Sequence, residues 1–508
     1  MADWAERVAV IRVIGAGAMG RGIAQWAAAG GAAVELADAR PEAVADAVEQ
    51  VGAMFDRLAA KGRMTGEDAA AARSRLRPVD GPLAPLDGCD LVVEAVREDL
   101  TVKRELFAAL EKVAPASMLF ATNTSSLSVT EIGAALADPS RLAGLHFFNP
   151  VPLMKVVEVV PGARTAGWVP GAFTALVRRF GHTPVTAPDT PGFLVNHAGR
   201  GLATEALAIL AEAVAAPADV DRIARDVLGL RMGPFELMDL TGLDVSHPVL
   251  ETIWAGFHGE PRLRPSRITR LRMQAGLLGR KTGEGFYRYV DGVKQEPPAP
   301  EPPAVTGRPV WVRSAPVLAD LLRAAGVPVA DGPSDEAVVL VAPEDRSALD
   351  VALEDGLPAD RTLGVDPFGG FASRLTLAVH PGVDPAAGRA AWAALAATGR
   401  DVTVVRDAPA PVAARLLASI VNVAAEIAEQ RLATPADIDA AVRLGLGYPR
   451  GPLEWGDAAG AARLHTVLTG LLARTGDPRY RPSRWLTDRA GLGLPLTEPG
   501  TTPADLLG

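Results

Sequence analysis

The sequence contains one cysteine, Cys89, and few aromatic side chains, which account for 5% of its 508 residues. A single cysteine excludes an internal disulfide framework and any metal site built from several thiolates. Cys89 lies in Gly-Cys-Asp-Leu-Val-Val, where the chain enters an apolar run. A free cysteine in that setting is typically a small buried hydrophobic residue, so no metal site is predicted.

The sequence also lacks an excess of basic residues and any long apolar segment. Its formal net charge is −9, so no cationic surplus exists to neutralise phosphates and no nucleic-acid partner is expected. No run approaches the roughly 18 apolar residues that a membrane helix needs, and the first residues lack a secretory-signal pattern. We expect a cytoplasmic protein without a membrane partner, and the length suits about three to four domains.

The most informative stretch that is present is a glycine-rich turn. It follows an apolar, β-branched run at 8–14 that is typical of a buried parallel strand. In Gly15-Ala-Gly17-Ala-Met-Gly20, the first glycine permits a tight turn, the second lets the backbone approach a pyrophosphate, and the third lets a helix lie close to the strand. That helix directs unpaired N–H groups at the phosphates. The pattern predicts a dinucleotide site, with a turn that binds no ligand as the alternative.

The next strand indicates which dinucleotide is bound. The run Ala33–Ala37 ends at Asp38, which lies 18 residues after Gly20. A carboxylate there accepts hydrogen bonds from a ribose 2′-hydroxyl and repels a 2′-phosphate, which favours NAD over NADP. Arg40 lies close by and leaves NADP as the alternative.

A long insertion separates Asp38 from the next clear strand, Leu91–Val96, which begins 53 residues later. An apolar stripe from Val44 to Leu58 predicts a helix, and a turn at Lys61–Thr65 leads to a second helix of about Glu67–Arg75. The basic tip of this helical pair suits an anionic group such as a nucleotide phosphate. Solvated surface charges are an equally good interpretation of the residues alone.

Polar residues follow the later predicted strands at the points where those strands end. In open α/β sheets, ligands bind beyond the carboxyl ends of the strands. The residues at such ends are Asn123, Ser125, His146 and Asn149.

His146 and Glu158 form a candidate catalytic pair. Glu158 lies in the apolar run Val-Val-Glu-Val-Val, 12 residues after His146. A carboxylate there is costly unless it is paired or has a function. A lone histidine beside leucine and phenylalanine is more often a core residue. A His–Glu pair near a nicotinamide, however, suits alcohol oxidation, because the base takes the hydroxyl proton while the acid orients the ring and stabilises the imidazolium.

Six motifs, in this order and spacing, resemble the L-3-hydroxyacyl-CoA dehydrogenase family over about residues 8–289. They are GAGAMGRGIAQ, TNTSSL, GLHFFNPVPLMKVVEVV, DTPGFLVN, RMGPFELMDLTGLD and GRKTGEGFY. The resemblance implies that His146 is the general base, that Glu158 is its partner, and that Ser125 and Asn196 contact the reacting oxygen of the substrate. One departure is Leu230-Arg231, where the family usually has Tyr-Pro.

The resemblance also implies how the cofactor and the coenzyme A group are held. Lys61 and Ser125 would contact the acyl-CoA, which favours the functional interpretation of the helical pair. The cofactor is NAD. Motif and resemblance together predict a cofactor site made of Gly15, Gly17, Met19, Gly20, Asp38, Glu98, Lys103, Asn123, Asn149 and Lys281.

The second half of the sequence repeats features of the first at a constant offset. Each of the following pairs is 218 positions apart: Asp189 and Asp407, Asp219 and Asp437, Gly233 and Gly451, and Asp239 and Asp457. An equal offset without a gap indicates a duplicated helical domain. The second half has no G-x-G-x-x-G, and Ala414 stands at the position of Asn196. It is therefore predicted to be structural, with one NAD bound per chain.

The predicted fold is an α/β Rossmann domain plus an all-α domain, followed by a reduced Rossmann-like domain and a second all-α copy. The predicted boundaries are 1–188 for the NAD-binding domain with its insertion, 189–290 for the all-α domain, 291–308 for a proline-rich linker, 309–406 for the reduced domain and 407–508 for the second copy. In the reduced domain, Arg374–His380 is predicted to mirror Arg141–His146 loosely, and His380 is interpreted as a turn residue. The second all-α copy is predicted to pack on the first like a dimer partner, and a homo-oligomer is also considered.

These features predict NAD-dependent oxidation of an (S)-3-hydroxyacyl-CoA to a 3-oxoacyl-CoA, with 3-hydroxybutyryl-CoA and 3-hydroxyadipyl-CoA as candidate substrates in fatty-acid or phenylacetate catabolism. One alternative is a dehydrogenase of a small free hydroxy acid or sugar acid, which would not need Lys61 or the helical pair. The other is a non-catalytic NAD-binding protein. The combination of Ser125, His146, Glu158 and Asn196 argues against that second alternative.

Overall fold

The computed structural model describes residues 2–507, which form 22 α-helices and 15 β-strands. The chain divides into two compact units, one of Met1–His197 with Arg431–Leu446 and one of Ala198–Gln430 with Gly447–Gly508. The boundaries of these units differ from the predicted domain boundaries, because residues 431–446 group with the first unit and residues 198–430 form one continuous part of the second. Within the described residues, no helix has the length and apolar character needed to span a bilayer.

The strands are numbered in chain order. They are β1 Val10–Ile14, β2 Ala33–Ala37, β3 Leu76–Pro78, β4 Leu91–Glu94, β5 Leu119–Thr122, β6 Leu142–Phe147, β7 Val156–Pro161, β8 Thr183–Thr186, β9 Arg288–Val290, β10 Val293–Gln295, β11 Val310–Arg313, β12 Val338–Val341, β13 Thr362–Val365, β14 Leu375–Val379 and β15 Val402–Arg406.

The helices are numbered in the same way. They are α1 Ala2–Arg7, α2 Ala18–Ala29, α3 Pro41–Ala60, α4 Gly66–Ser74, α5 Leu100–Val113, α6 Val129–Gly133, α7 Val169–Arg179, α8 Val195–Ala198, α9 Arg200–Ala211, α10 Pro217–Asp226, α11 Pro234–Thr241, α12 Leu243–Gly256, α13 Arg267–Gln274, α14 Pro316–Ala324, α15 Ala348–Glu354, α16 Pro385–Ala396, α17 Val412–Glu429, α18 Pro435–Gly445, α19 Pro452–Ala459, α20 Ala461–Thr475, α21 Arg484–Leu492 and α22 Pro503–Leu507.

The first unit is built on an eight-stranded sheet with the order β3-β2-β1-β4-β5-β6-β7-β8. Neighbouring strands are parallel except for β6 and β7, which are antiparallel. The first six strands follow the doubly wound order, in which ligands bind at the carboxyl edge where the strand order reverses. Here that reversal lies between β1 and β4, both of which are largely buried.

Helix α2 packs directly on this sheet. The Trp26 ring lies 4.8 Å from the Phe147 ring and 4.9 Å from the Phe180 ring, in edge-to-face arrangements. Such aromatic pairs add to the stabilisation from buried apolar area. Near the end of the chain, α18 packs against β7 and β8, so a segment predicted for the second all-α copy belongs to this unit.

The insertion after Asp38 is the helical pair α3 and α4, which pack against each other. Val44, Val51 and Phe55 of α3 are buried as the predicted stripe requires. The Thr65 hydroxyl accepts a hydrogen bond of 3.0 Å from the Asp68 amide and caps α4. The predicted helical pair is thus confirmed, and the bounds of α4 lie within one residue of the predicted helix Glu67–Arg75.

Two features of the first unit differ from the sequence-based prediction. Strand β3, which pairs with β2, is not predicted because it has three residues and ends in Pro78, typical of an edge strand. The sequence also predicts one long helix that begins at Pro191-Gly192 and ends at about Ala215, and this prediction is wrong. The backbone instead turns at Phe193, where φ is +47°, and α8 begins at Val195 because the amides there bind a buried carboxylate.

The second unit contains a five-stranded sheet with the sequential order β11 to β15. All neighbours are parallel except β13 and β14. In this sheet the antiparallel pair β13 and β14 comes after the parallel pair β12 and β13. The first sheet has the same arrangement, with β6 and β7 after β5 and β6. By this register Arg361–Asp366 corresponds to Arg141–His146, so the predicted correspondence of Arg374–His380 is wrong. His380 directly follows β14, and its Nδ1 accepts a hydrogen bond of 3.1 Å from the Gly382 amide.

Helices α9 and α17 pack closely in this unit. A Cβ at Gly201 would lie 2.7 Å from the Ile420 Cα, so only glycine permits this approach. The Arg415 guanidinium, 1% exposed, pairs with Glu205 and Glu212 at 2.7 Å each. A buried arginine requires such partners because its desolvation is costly.

The start of the predicted linker is ordered. Strands β9 and β10 form a hairpin, and Lys294 pairs with Glu236 of α11 at 2.6 Å. Glu296 pairs with Arg225 at 2.9 Å. The proline-rich stretch without regular structure therefore begins after the hairpin.

Cys89 is expected to be chemically inert in the folded protein. It is 6% exposed, and burial raises the pKa of its thiol to about 11. Because the thiolate is the reactive form, only roughly one molecule in a thousand would carry it at pH 8. A reagent that labels free thiols by disulfide exchange should react with one thiol per chain in urea and with almost none in the native protein. Rapid labelling of the native protein would contradict this burial.

Candidate functional site

The glycine turn lies at the reversal point of the first sheet. Gly15 has a φ of +113°, and a Cβ there would lie 2.3 Å from the Ala95 carbonyl oxygen. A Cβ at Gly20 would lie 1.7 Å from the Gly15 carbonyl oxygen. A Cβ at Gly17 would meet no atom within 4 Å. The first and third glycines therefore serve the turn itself, whereas the second leaves open space before α2.

The residues around this turn fit NAD. Gly17, with its open space, is the N-cap residue of α2, and the amides of a first helical turn favour a pyrophosphate. The Asp38 carboxylate accepts hydrogen bonds from the Ala16 amide at 2.8 Å and the Arg40 amide at 3.0 Å. These bonds hold it at the end of β2, where a ribose hydroxyl can reach its remaining lone pairs.

His146 and Glu158 are paired, as predicted. They face each other across the antiparallel strands β6 and β7, and His146 Nδ1 lies 2.5 Å from Glu158 Oε2. His146 is 5% exposed and Glu158 is fully buried. Glu158 Oε1 also accepts hydrogen bonds of 2.8 Å from the amides of Leu194 and Val195. His146, Leu194 and Val195 thus satisfy a carboxylate that would otherwise be costly to bury.

This arrangement determines which histidine nitrogen is available for chemistry. With Nδ1–H donating to the Glu158 carboxylate, Nε2 is the nitrogen that can accept a proton. The ring also lies 4.4 Å from the Phe148 ring and 5.6 Å from the Phe193 ring, measured between centroids. The imidazole is therefore held in one orientation, with an apolar surround on two sides.

The Ser125 loop is anchored by Glu98. Its carboxylate oxygen Oε1 accepts hydrogen bonds from the Thr124 hydroxyl at 2.7 Å, the Ser125 amide at 2.9 Å and the Ser126 amide at 3.0 Å. Burial alone would raise the pKa of Glu98, but the Lys103 ammonium and these donors lower the pKa to about 2. Glu98 is therefore ionised throughout the neutral range and holds the loop that follows β5.

Lys103 is an internal counter-ion in this structure. Its ammonium is 1% exposed and lies 2.6 Å from Glu94 and 3.2 Å from Glu98. Glu94 is fully buried at the end of β4 and also accepts a 2.6 Å hydrogen bond from the Thr122 hydroxyl. Sequence analysis does not predict Glu94, although a carboxylate ending an apolar strand is the same signal that indicates Glu158.

Three other predicted cofactor residues lie in the first unit. The Asn123 side-chain oxygen accepts a hydrogen bond of 2.8 Å from the Phe147 amide, which ties β5 to β6. Asn149 is exposed just beyond β6, and Met19 is half-buried in the first turn of α2. All three therefore lie beyond the carboxyl ends of the central strands.

The remaining predicted residues lie on separate elements. Asn196 is half-buried in α8, immediately after the Val195 amide that binds Glu158, so the chain brings it to the His–Glu pair. Lys61 is exposed at the end of α3. Lys281 belongs to the second unit, where its ammonium pairs with Asp244. Among residues 2–507, no group of three or more potential ligands is arranged to hold a metal ion.

Two glycine variants should distinguish a glycine that the backbone turn requires from a glycine that leaves room for NAD. Gly20→Ala forces a Cβ against the Gly15 carbonyl, so it should cost about 1–3 kcal/mol of stability and lower the affinity for NAD about tenfold. Gly17→Ala should lower the affinity for NAD while leaving the unfolding midpoint unchanged. Urea unfolding and calorimetric titration with NAD measure both quantities. Unchanged NAD affinity in both variants would contradict a cofactor site at this turn.

Comparison with protein families finds two matching models. The model described as "3-hydroxyacyl-CoA dehydrogenase, NAD binding domain" matches residues 10–190. The model described as "3-hydroxyacyl-CoA dehydrogenase, C-terminal domain" matches residues 192–289 and again residues 412–497. Together these matches cover most of the chain.

Comparison with individual proteins finds relatives of full and half length. A 3-hydroxyadipyl-CoA dehydrogenase of Escherichia coli K12 is 37% identical, and the match covers 95% of this chain and 98% of the relative. A probable 3-hydroxybutyryl-CoA dehydrogenase of Bacillus subtilis is 37% identical over 55% of this chain and 96% of its own. The crystal structure of a 3-hydroxybutyryl-CoA dehydrogenase from Escherichia coli K12 matches with a TM-score of 0.85 and 36% identity, covering 96% of this chain and 99% of that one.

Proposed function

Because the chain belongs to the 3-hydroxyacyl-CoA dehydrogenase family, we propose that it oxidises the 3-hydroxyl group of an (S)-3-hydroxyacyl-CoA to a 3-oxoacyl-CoA, with NAD as cofactor. The observation that carries this proposal is the buried His146–Glu158 pair at the carboxyl edge of a sheet whose glycine turn fits NAD. A general base beside a hydride acceptor is what alcohol oxidation requires.

His146 acts as the general base in this proposal. Its Nε2 removes the proton of the 3-hydroxyl group while Nδ1–H stays bonded to Glu158. The buried carboxylate stabilises the imidazolium that forms and prevents rotation of the ring. NAD, when bound, supplies the acceptor for the hydride that leaves C3. In the reverse direction His146 returns the proton to the 3-oxo group.

Ser125 and Asn196 are proposed to hold the reacting oxygen. Both carry side-chain hydrogen-bond donors, Ser125 on the loop anchored by Glu98 and Asn196 on the helix anchored by Glu158. A donor aimed at a developing oxyanion contributes about 2.7–4 kcal/mol to catalysis. Lys103, which is internal, contributes to cofactor binding by orienting Glu98.

The remaining site residues are proposed from their positions. Asp38 binds the ribose of NAD, and Met19, Asn123 and Asn149 border the cofactor along the carboxyl edge of the sheet. Lys281, on the second unit, stays a predicted cofactor contact. Lys61, exposed at the tip of the helical pair, binds a phosphate of coenzyme A.

We further propose that the second half is a degenerate duplicate of the first. In the first unit, Asp189 accepts hydrogen bonds from the Val129 and Thr130 amides at the start of α6. In the second, Asp407 accepts them from the amides that open α15. The shared 218-residue offset and the repeated family match support the domains predicted at 1–188, 189–290, 309–406 and 407–508. The packing of α17 on α9 supports an all-α copy that takes the place of a dimer partner.

The acyl group is proposed to be short, either 3-hydroxybutyryl or 3-hydroxyadipyl. This proposal rests on the names of the two full-length relatives from Escherichia coli K12, which point to these two acyl groups. A dehydrogenase of a free hydroxy acid on the same fold is the competing proposal. It differs because it needs no coenzyme A contact at Lys61.

The experiment follows the loss of NADH absorbance with acetoacetyl-CoA, 3-oxoadipyl-CoA and free acetoacetate in parallel. We expect turnover with one or both thioesters and none with the free acid. A Lys61→Gln variant should raise KM for the thioester with little change in kcat, because Lys61 lies away from the reacting carbon. Turnover of free acetoacetate equal to that of the thioesters would overturn the proposal.

A further inference from the structure

A ligand-sized cleft lies entirely within the second unit. Its volume is about 460 Å³, which is in the range of small-molecule sites. Residues of α10, α17, α19 and α20 line it, together with the loop Phe368–Gly370 that follows β13. That loop comes directly after Asp366, which follows β13 at the position that corresponds to His146. In open α/β sheets ligands bind at this kind of strand end.

The walls of the cleft combine apolar surface with two arginines. Leu228, Leu417 and Trp455 contribute apolar side chains. The Arg463 guanidinium stacks over the Phe368 ring at 4.4 Å and forms a bidentate ion pair with Glu344. The cleft wall is therefore held rigidly from one side, and the charge of Arg463 is already neutralised.

Arg450 is the charge without a counter-ion in this cleft. Asp226, the acidic residue of the lining, is paired with Arg374 at 2.7 Å. Arg450 is exposed on the loop before α19 and forms no ion pair with any described residue. A cleft that combines apolar side chains with one unneutralised guanidinium favours a ligand that has a single negative charge and an apolar body.

The catalytic groups are absent from this part of the fold. By the register of the antiparallel strands, Asp366 and Thr376 occupy the positions that correspond to His146 and Glu158. The second half also has no glycine-rich turn of the first type. Because neither a general base of that kind nor a dinucleotide motif is present, the cleft is suited to binding without turnover.

We propose that this cleft is a non-catalytic binding site for a monovalent organic carboxylate with an apolar body. The carboxylate pairs with Arg450, and the apolar body lies against Trp455 and Leu417. The site is separate from the NAD and His146 residues of the first unit. It does not depend on which acyl-CoA the enzyme oxidises.

The test is calorimetric titration of the full chain with sodium octanoate, in the presence of NAD and acetoacetyl-CoA. Both additions are already oxidised, so no turnover occurs, and they occupy the catalytic site. We expect one saturable site per chain. Octylamine and 1-octanol, which lack the anionic group, should bind at least about tenfold more weakly.

Two variants locate the site. Arg450→Gln should weaken octanoate binding about tenfold or more, and Ala458→Trp should fill the cleft and abolish binding. Arg389→Gln, which changes an exposed arginine on α16 of the same unit, should bind octanoate normally. Dehydrogenase activity and the unfolding midpoint should be unchanged in all three variants. Absence of saturable binding, or equal affinity in wild type, Arg450→Gln and Ala458→Trp, would overturn the proposal.

Discussion

Replacing His146 with glutamine is expected to lower kcat by about 10²–10⁴-fold, the usual contribution of a general base. Glutamine keeps a hydrogen-bonding side chain of similar length but cannot take up the substrate proton. In the structure His146 Nδ1 is already bonded to Glu158, so Nε2 is the nitrogen lost to catalysis. The measurement is the rate of NADH formation or loss at saturating substrate and cofactor.

His380 provides a matched control for this variant. It is also a buried histidine at a strand end, 3% exposed, but in the second sheet. His380→Gln should therefore retain turnover. Equal circular dichroism spectra and unfolding midpoints for the two variants would show that both fold. Near-normal kcat in His146→Gln would remove His146 from the mechanism, whereas NAD binding at the glycine turn would be unaffected.

Replacing Lys103 with methionine is expected to destabilise the protein by about 3–5 kcal/mol, as measured by urea unfolding. Lys103 is 1% exposed, and its removal leaves the fully buried Glu94 carboxylate without its cation. Methionine retains most of the apolar volume, so the loss reports charge rather than packing. Lys103→Arg, which keeps the positive charge, is the conservative comparison.

A second substitution tests that explanation. The double variant Lys103→Met, Glu94→Gln removes the buried carboxylate charge together with its cation. Part of the stability lost in Lys103→Met should therefore return. If the double variant is as unstable as the sum of the single variants, the two groups are energetically independent. That outcome would contradict the ion pair as the source of the effect.

The same variant should change the response to acid. The pKa of Glu98 is lowered to about 2 in the folded protein, so its carboxylate stabilises the fold above its ordinary pKa of about 4.3. That contribution is lost as the pH falls through about 2. Without the Lys103 charge the pKa of Glu98 should rise, and anchoring of the Ser125 loop should be lost at a higher pH. The acid limb of the activity profile should therefore move to higher pH in Lys103→Met.

The two sheets share a strand arrangement but differ in the few residues that would bind NAD and catalyse oxidation. Each sheet has one antiparallel pair after its parallel strands. Only the first has a glycine turn and a His–Glu pair, since Asp366 and Thr376 take those positions in the second. The proposed single NAD per chain follows from this difference, and calorimetry that finds two equivalent NAD sites would contradict it.

Local signals determined the largest part of the fold in advance. The sequence predicts strands at Ala33–Ala37, Thr362–Val365 and Leu375–Val379 and a helix at Leu100–Val113. Strands β2, β13 and β14 and helix α5 have these bounds, because apolar β-branched runs and helical stripes are properties of neighbouring residues. The glycine turn could also be predicted from the sequence, since the backbone geometry at Gly15 and Gly20 itself requires glycine. Strand β3 and the break before α9 were not, because each depends on contacts made elsewhere in the chain.

For the candidate site, the sequence by itself determined the residue types that the chemistry needs. A carboxylate within Val-Val-Glu-Val-Val has to be paired, and His146 is the basic residue that precedes it. Only the tertiary structure decided how Glu158 is satisfied, through the amides of Leu194 and Val195. It also decided that Lys103 is internal, held by Glu94. Burial and ion pairing arise from residues distant in sequence, so periodicity and spacing cannot reveal them.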